Sequence, residues 1–248
     1  MGEDVIYAKG TTLLSSAGRW PNDVLLWNVR IPLAASTAWK LLRARLSVNE
    51  QQRALRYQHD ADRLRFAATR AVLRTLLAKY TGTLPLSLRF SLGAFGRLEL
   101  AGYQDRLSFN VTHAGQNALI ALSNKRCVGV DIECVERVIA WRALLKTVCT
   151  TSERNILLRS SPMRGAKGFL RCWTAKEAVL KAFGIGIRYG LQRVSVDPFA
   201  PGIQHIKLPV KDKWNSIAVL QLHWIDDLVD YLGCIAFGPI GSVNAHLC

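Results

Sequence analysis

The chain has 248 residues, half of them hydrophobic and 21% charged, a balance that excludes a disordered polypeptide and suits one large domain or two small ones at roughly 100–200 residues each. Its 33 basic and 18 acidic residues give a net charge of +15, which excludes an acidic or neutral surface and favours phosphates, nucleic acid, acidic membrane or an acidic protein as partners. The excess is +8 over residues 1–124 and +7 over residues 125–248, so the positive charge belongs to the fold and not to a tail.

Residues 1–22 are mixed in character and read as a lead-in without a clear element. Trp39 to Leu46 and Asn49 to Arg56 carry helical patterns, with Ser47 or Asn49 placed to cap the second. A longer helix starts at Asp60 or Asp62. It has Leu64, Ala68, Ala71, Val72, Leu76 and Tyr80 on one side, and Gly82 ends it. Its other face is rich in arginine, and most of these side chains read as a solvated face or as aliphatic stems laid over apolar surface.

From Leu88 the pattern becomes strand-like: Leu88–Leu92, Leu107–Thr112, Ala118–Leu122 and Val128–Ile132, the last two read as a hairpin. A helical region from Ile139 to Leu158 leads to a polar break at Ser160, Ser161, Pro162 and Gly165. A strong helix then covers Lys167 to Phe183, closed by Gly184. Strand patterns return at Gln192–Val196, Ile217–Trp224 and Tyr231–Phe237. Helix followed by strands in each half predicts an α+β fold of two similar subdomains.

The six cysteines (Cys127, Cys134, Cys149, Cys172, Cys234, Cys248) form no CxxC pair, follow no secretory signal, and read as free thiols of a cytoplasmic protein. No apolar run reaches the length of a membrane span.

Three clusters could carry chemistry. In Val128-Gly129-Val130-Asp131-Ile132-Glu133 strand alternation sends Asp131 and Glu133 to one face, a pair suited to Mg²⁺; alone it is also what an ordinary strand edge shows. In Trp173-Thr174-Ala175-Lys176-Glu177-Ala178-Val179-Leu180-Lys181, Glu177 and Lys181 have the spacing of a surface ion pair, and Thr174 with Glu177 fits a capping box. The stripe Phe169, Trp173, Leu180, Phe183 starts the helix earlier, though, and puts Lys176 within the apolar face with Glu177 beside it, a placement expected where that face lines a site. Phe109-Asn110-Val111-Thr112-His113-Ala114-Gly115 is a strand ending in hydroxyl, imidazole and glycine, able to present donors to a phosphate.

Taken in chain order, from about Leu46 to Val196, the three clusters resemble the 4′-phosphopantetheinyl transferases of the double-length class that serves surfactin-type carriers: F-N-(I/V)-(S/T)-H-(S/A)-G, G-x-D-x-E and W-x-x-K-E-(A/S)-x-x-K. The resemblance implies a pseudo-dimer of two similar α/β subdomains, each a small antiparallel sheet packed with a long helix, over residues 1–123 and 124–248, with coenzyme A in the cleft between them. It implies Mg²⁺, or Mn²⁺ in its place, on Asp131, Glu133 and Glu177. Glu177, Lys181 and His113 would be the catalytic set, with Glu177 the base for the incoming serine. Arg53, Arg97, Thr112, His113 and Lys181 would face the coenzyme A phosphates. Leu98 stands where the family usually has Pro, and Glu50 where some members have Lys.

The activity implied is transfer of the phosphopantetheine arm to a serine of an apo carrier protein of fatty-acid, polyketide or peptide synthesis, releasing 3′,5′-ADP. The partner would be an acidic acyl or peptidyl carrier, met by a monomer. A metal-dependent phosphoesterase or nuclease would use the same residue types. A nucleic-acid reader would show a recognised module or a concentrated basic stripe, and neither is present.

Overall fold

The computed structural model describes residues 10–31, 38–93, 95–104, 106–136, 140–209 and 217–239. Two four-stranded antiparallel sheets carry the fold. The first holds β1 (Thr11–Leu13), β2 (Leu25–Arg30), β5 (Ser108–Ala114) and β6 (Asn117–Ser123), in the order β1-β2-β6-β5. The second holds β7 (Arg126–Cys134), β8 (Gln204–Pro209), β9 (Ile217–Ile225) and β10 (Tyr231–Pro239), in the order β7-β10-β9-β8. A small hairpin of β3 (Phe90–Leu92) and β4 (Leu98–Leu100) stands apart. The helices are α1 (Ala38–Arg43), α2 (Val48–Leu55), α3 (Asp60–Thr81), α4 (Trp141–Val148), α5 (Thr151–Arg159) and α6 (Pro162–Phe183).

Each sheet has its own 22-residue helix, α3 or α6, and each helix stops at a glycine in the left-handed region: Gly82 at φ 69° and Gly184 at φ 70°. Val29, Ala118, Ile120 and Leu122 pack on the α3 side with Ala68, Val72 and Leu77. Cys127, Cys234, Ala236 and Leu222 pack on the α6 side with Ala175, Val179 and Phe183. The opposite sheet faces meet in a third cluster, where Trp20, Leu26, Leu119 and Ala121 lie against Val128, Val130, Ile132, Ile235 and Phe237. This α+β architecture of two helix-backed sheets is the one expected, and the chain passes from one sheet to the other at Asn124 and Lys125.

Several details differ from the sequence reading. Ala118–Leu122 and Val128–Ile132 do not form a hairpin. β6 has both edges filled, by β2 and by its true hairpin partner β5, so β7 pairs with β10 in the other sheet. The helical region expected over Ile139–Leu158 holds two helices, because Thr150 opens a new one by accepting from the Glu153 N–H at 3.3 Å while the Glu153 carboxylate accepts from the Thr150 N–H at 2.7 Å. α6 begins at Pro162, five residues before the expected Lys167, because Pro is tolerated at the first helical position. Gln192–Val196 is no strand: Leu191–Arg193 is a turn of 3₁₀ helix. Within the expected lead-in, Thr11–Leu13 pairs with β2 and Trp20 is buried. Residues 1–9, Ile139 and Cys248 lie outside the described residues. Cys127, Cys134, Cys149, Cys172 and Cys234 are free thiols.

β5 and β7 lie side by side without a main-chain ladder, and side chains close the gap. Ser108 Oγ accepts from the Val128 N–H at 3.0 Å and Asn110 Oδ1 from the Val130 N–H at 3.0 Å. On the other side of β7, α6 lies so close that a β-carbon at Gly129 would collide with the main chain of Ala178 and Ala182. The glycine of the G-x-D-x-E segment is therefore a packing requirement. We expect Gly129→Ala to cost ~3 kcal/mol or more, since neither backbone can yield independently, and to lower Tm by roughly 6–12 °C; thermal denaturation checks this, and an unchanged Tm would show that the helix stands off the strand.

Candidate active site

With Gly129 holding α6 against β7, Asp131 comes under the last turns of the helix. Its Oδ1 accepts from Lys181 Nζ at 2.6 Å and from Thr112 Oγ1 at 3.0 Å. Its Oδ2 is buried with no hydrogen-bond partner. A buried carboxylate oxygen left without a donor is costly unless something positive completes it. Glu133 follows on the same face, and Glu177 lies one helical turn before Lys181. Burial raises the Glu177 pKa above its ordinary 4.5; Lys181 lowers it, and the charges of Asp131 and Glu133 raise it further. Three carboxylates thus share a neighbourhood with one ammonium; their hard oxygen donors are of the kind that holds a divalent cation such as Mg²⁺, although among the described residues they do not converge on one point.

Beside this group a cavity of about 450 Å³ opens between the halves. Arg53, Phe66 and Arg70 line it from the first half, His113 from β5, and Glu177 and Lys181 from α6. Asp131 and Glu133 do not line it; Asp131 reaches its edge through Lys181. Arg53 is exposed, its guanidinium carbon 5.1 Å from the Phe66 ring centroid. Burial pushes Arg70 down to about 10 against the pull of Glu50, and the nearby Arg53 and Arg74 charges add to the lowering. His113 is lowered by the protein packed round it and by the charges of Arg65 and Lys181, so its ring favours the neutral form. The cavity has a basic wall and an acidic corner.

Other expected residues sit differently. Thr112 does not face the cavity; strand alternation turns it with Ser108 and Asn110 toward β7, where it holds Asp131. Arg97 borders the cavity, but its guanidinium is bonded to the protein: Nη1 donates to the carbonyls of Lys181 and Ala182, both at 2.7 Å, and Nη2 to Ser108 Oγ at 2.8 Å. The expectation that Lys176 marks a site-lining face holds for Glu177 only. Lys176 is wholly buried, its Nζ donating to Glu153 at 2.6 Å and to the Val148 carbonyl at 2.8 Å. Cys149, Glu153 and Cys172 bring ligand atoms within 4.8 Å of one another in that same cluster. Lys176 and the Val196 and Thr150 amides already satisfy Glu153, which makes the cluster a structural one.

Two of the α3 arginines lie over apolar surface, Arg70 and Arg74 both against the Phe90 ring, and add an ion pair to that packing. Arg74 is 2% exposed and donates to Glu50 at 2.8 Å, and Arg70 lies 3.5 Å from the same carboxylate. Glu50 also accepts from the Ser47 N–H at 2.9 Å, so it caps α2 as well as pairing the arginines. Glu50, set among Arg43, Arg45, Arg53 and Arg56, was the available signal for this pairing. Phe66 and Arg70 as cavity walls carried no signal, because only the tertiary fold brings α3 to α6.

Residues 127–229 match the family model of the 4′-phosphopantetheinyl transferase superfamily. The 4′-phosphopantetheinyl transferase HetI of Nostoc sp. is 31% identical over 221 residues, covering 88% of this chain and 90% of that protein. A Synechocystis sp. protein named for the same activity is 39% identical over 155 residues, 62% of this chain and 63% of that protein, so the match there spans just under two thirds of the relative. AcpT of Salmonella typhi, a further 4′-phosphopantetheinyl transferase, is 37% identical over 38% of this chain and 48% of its own.

The raised Glu177 pKa has a consequence for stability. A carboxyl whose folded value lies above 4.5 favours folding below that value, and the contribution is lost as pH rises through the folded value. In chelator, Glu177→Gln should therefore melt about 1–3 °C above wild type at neutral pH, with the difference closing as pH falls toward 4.5; Tm against pH measures it, and a glutamine variant less stable at pH 7 would mean that the charge is already compensated.

Proposed function

The chain belongs to the 4′-phosphopantetheinyl transferase superfamily, and we propose that it is a phosphopantetheinyl transferase working at the cavity between its two halves, moving the arm of coenzyme A onto a carrier-protein serine. The observation that carries this reading is the junction of two motifs: Asp131 of the G-x-D-x-E strand meets Lys181 of the W-x-x-K-E helix at 2.6 Å, beside a cavity whose far wall is basic. The division into residues 1–123 and 124–248 is part of it, with each half supplying one wall.

In the reaction the serine Oγ forms a bond to the β-phosphorus of coenzyme A, the bond from that phosphorus to the bridging oxygen breaks, and 3′,5′-ADP departs with that oxygen. Such transfers depend on positioning and charge neutralisation more than on covalent help from the protein. Mg²⁺, or Mn²⁺ in its place, held by Asp131, Glu133 and Glu177, would neutralise the pyrophosphate and stabilise the leaving oxygen. Glu177, at the cavity edge beside the metal ligands, takes the serine proton. Lys181 bridges Asp131 and the cavity, placing a positive charge where the leaving phosphate becomes more negative. Neutral His113 donates one N–H to a phosphate oxygen without adding charge of its own. Arg53 and Arg70 lie on the wall suited to the remaining phosphate.

The +15 surface suits an acidic carrier, which it would steer toward the cleft. Free thiols at the five described cysteines fit a cytoplasmic monomer, and among the described residues no helix is long and apolar enough to cross a membrane.

Intact mass of apo fatty-acid, polyketide and peptide-synthetase carriers, incubated with the protein, coenzyme A and Mg²⁺, tests the reading. We expect one added phosphopantetheine, lost in chelator, and a rate at least ~10²-fold lower for Asp131→Asn and Glu177→Gln. Phosphodiester hydrolysis without any transfer would instead favour the hydrolase.

A further inference from the structure

The carboxyl end of α6 carries Lys181, and how it is held sets where that side chain lies. The last carbonyls of any helix lack intrahelical partners and form the negative end of its dipole. Here the Gly184 and Ile185 amides turn back onto Leu180 and Lys181, and what remains is met from outside the helix. Arg97, in the turn between β3 and β4, reaches 84 residues along the chain to donate Nη1 to the Lys181 and Ala182 carbonyls at 2.7 Å each. Its Nη2 donates to Ser108 Oγ at 2.8 Å, and to the carbonyls of Phe109 on β5 and Val128 on β7 at 3.3 Å. One planar group thus joins the helix end that carries Lys181, the strand that carries Asp131 and the strand that carries His113. A β-carbon at Gly184 would stand 3.1 Å from Arg97 Cδ, so the side chain lies flat across the helix terminus.

We propose that Arg97 is a positioning residue, which fixes the end of α6 against β5 and β7 and so holds Lys181 and Glu177 in register with Asp131, and that it is not a ligand for a coenzyme A phosphate. The proposal rests on the reading of Asp131, Glu177 and Lys181 as the catalytic group. The geometry asks for a fork of donors in one plane, which arginine supplies and lysine does not. A phosphate ligand, by contrast, is served well by the point charge of lysine.

The substitution Arg97→Lys therefore separates the two roles. We expect Arg97→Lys and Arg97→Gln each to lower kcat about 10- to 100-fold and to raise the Mg²⁺ concentration needed for half-maximal rate, while the calorimetric Kd for coenzyme A in chelator stays within about threefold. Methylguanidinium should restore part of the rate to Arg97→Ala. Hydrogen exchange at the Gly184 and Ile185 amides should quicken in the same variants.

Wild-type kcat in Arg97→Lys, with a weaker coenzyme A Kd in Arg97→Gln and unchanged exchange, would overturn the proposal in favour of a phosphate contact. If the Arg97 variants do not fold, Ser108→Ala, which removes the hydroxyl that accepts from both Arg97 Nη2 and the Val128 N–H, carries the test through its readout at the helix end: faster exchange at the Gly184 and Ile185 amides together with a fewfold lower kcat and a shifted Mg²⁺ requirement is expected, and wild-type exchange there overturns the proposal. Asp131→Asn and Glu177→Gln run alongside. Full turnover in those two would sink the catalytic assignment itself, and hydrogen exchange would still report whether Arg97 secures the helix end.

Discussion

The seam between β5 and β7 is the constraint from which the site follows. The residues that face across it, Ser108 with Val128 and Asn110 with Val130, advance together along both strands, so the two run parallel. A main-chain ladder there would set the strands about 4.8 Å apart and extend one sheet into the next. Side-chain acceptors satisfy the β7 amides while leaving the backbones separate. The two sheets can then turn their inner faces onto a shared core and leave a cleft on the side of the long helices. Thr112, the next residue of the same alternation, falls on Asp131. The seam that joins the halves also orients the buried acid.

The charges at that point are incomplete without a ligand. Asp131 has one oxygen satisfied by Lys181 and Thr112 and the other without a donor, and Glu177 resists ionisation because burial and its acidic neighbours oppose it. Sites built for catalysis commonly hold groups in states that the folded protein alone would not select. The rest of the molecule supplies the rigidity that permits this. Gly129 lets α6 lie against β7 without a side chain between them, and the buried Lys176–Glu153 pair anchors the same helix on its far side. Removing either partner of that pair would strand a charge in the core.

What was legible in the sequence had local causes. The spans of α2, α3 and β7, and the glycines closing α3 and α6, follow from apolar spacing and capping chemistry that act within a few residues. The face shared by Asp131 and Glu133 follows from strand alternation alone. What was not legible depended on partners distant in the chain. Pairing β6 with β7 looked natural because they are neighbours in sequence, yet β2 had already taken the free edge of β6. Thr112 lies near the end of a donor-bearing strand, and the strand running beside it gives its hydroxyl an acceptor in Asp131 that local sequence does not show. Lys176 sits in an apolar stripe, where a charge is odd unless the face lines a site; its partner Glu153, 23 residues away in the chain, belongs to the capping box at Thr150, and no local pattern links the two.

Arg97 shows why net charge measures a field and not a set of ligands. Every hydrogen-bond acceptor it meets is neutral, four of them main-chain carbonyls and one a hydroxyl. Those bonds occupy its donors without cancelling its charge, so it still contributes to the positive potential at the cavity, and its burial reduces the solvent screening of that charge. Arg74 is a different case: it donates to Glu50 as well as to carbonyls, and that carboxylate, which it shares with Arg70, offsets part of its charge. Two arginines of equal weight in the composition therefore act differently, one as a screened structural link and the other as a link that also attracts anions. The attraction of phosphate to this cleft and the identity of the residues that finally touch it are separate properties, set by different side chains.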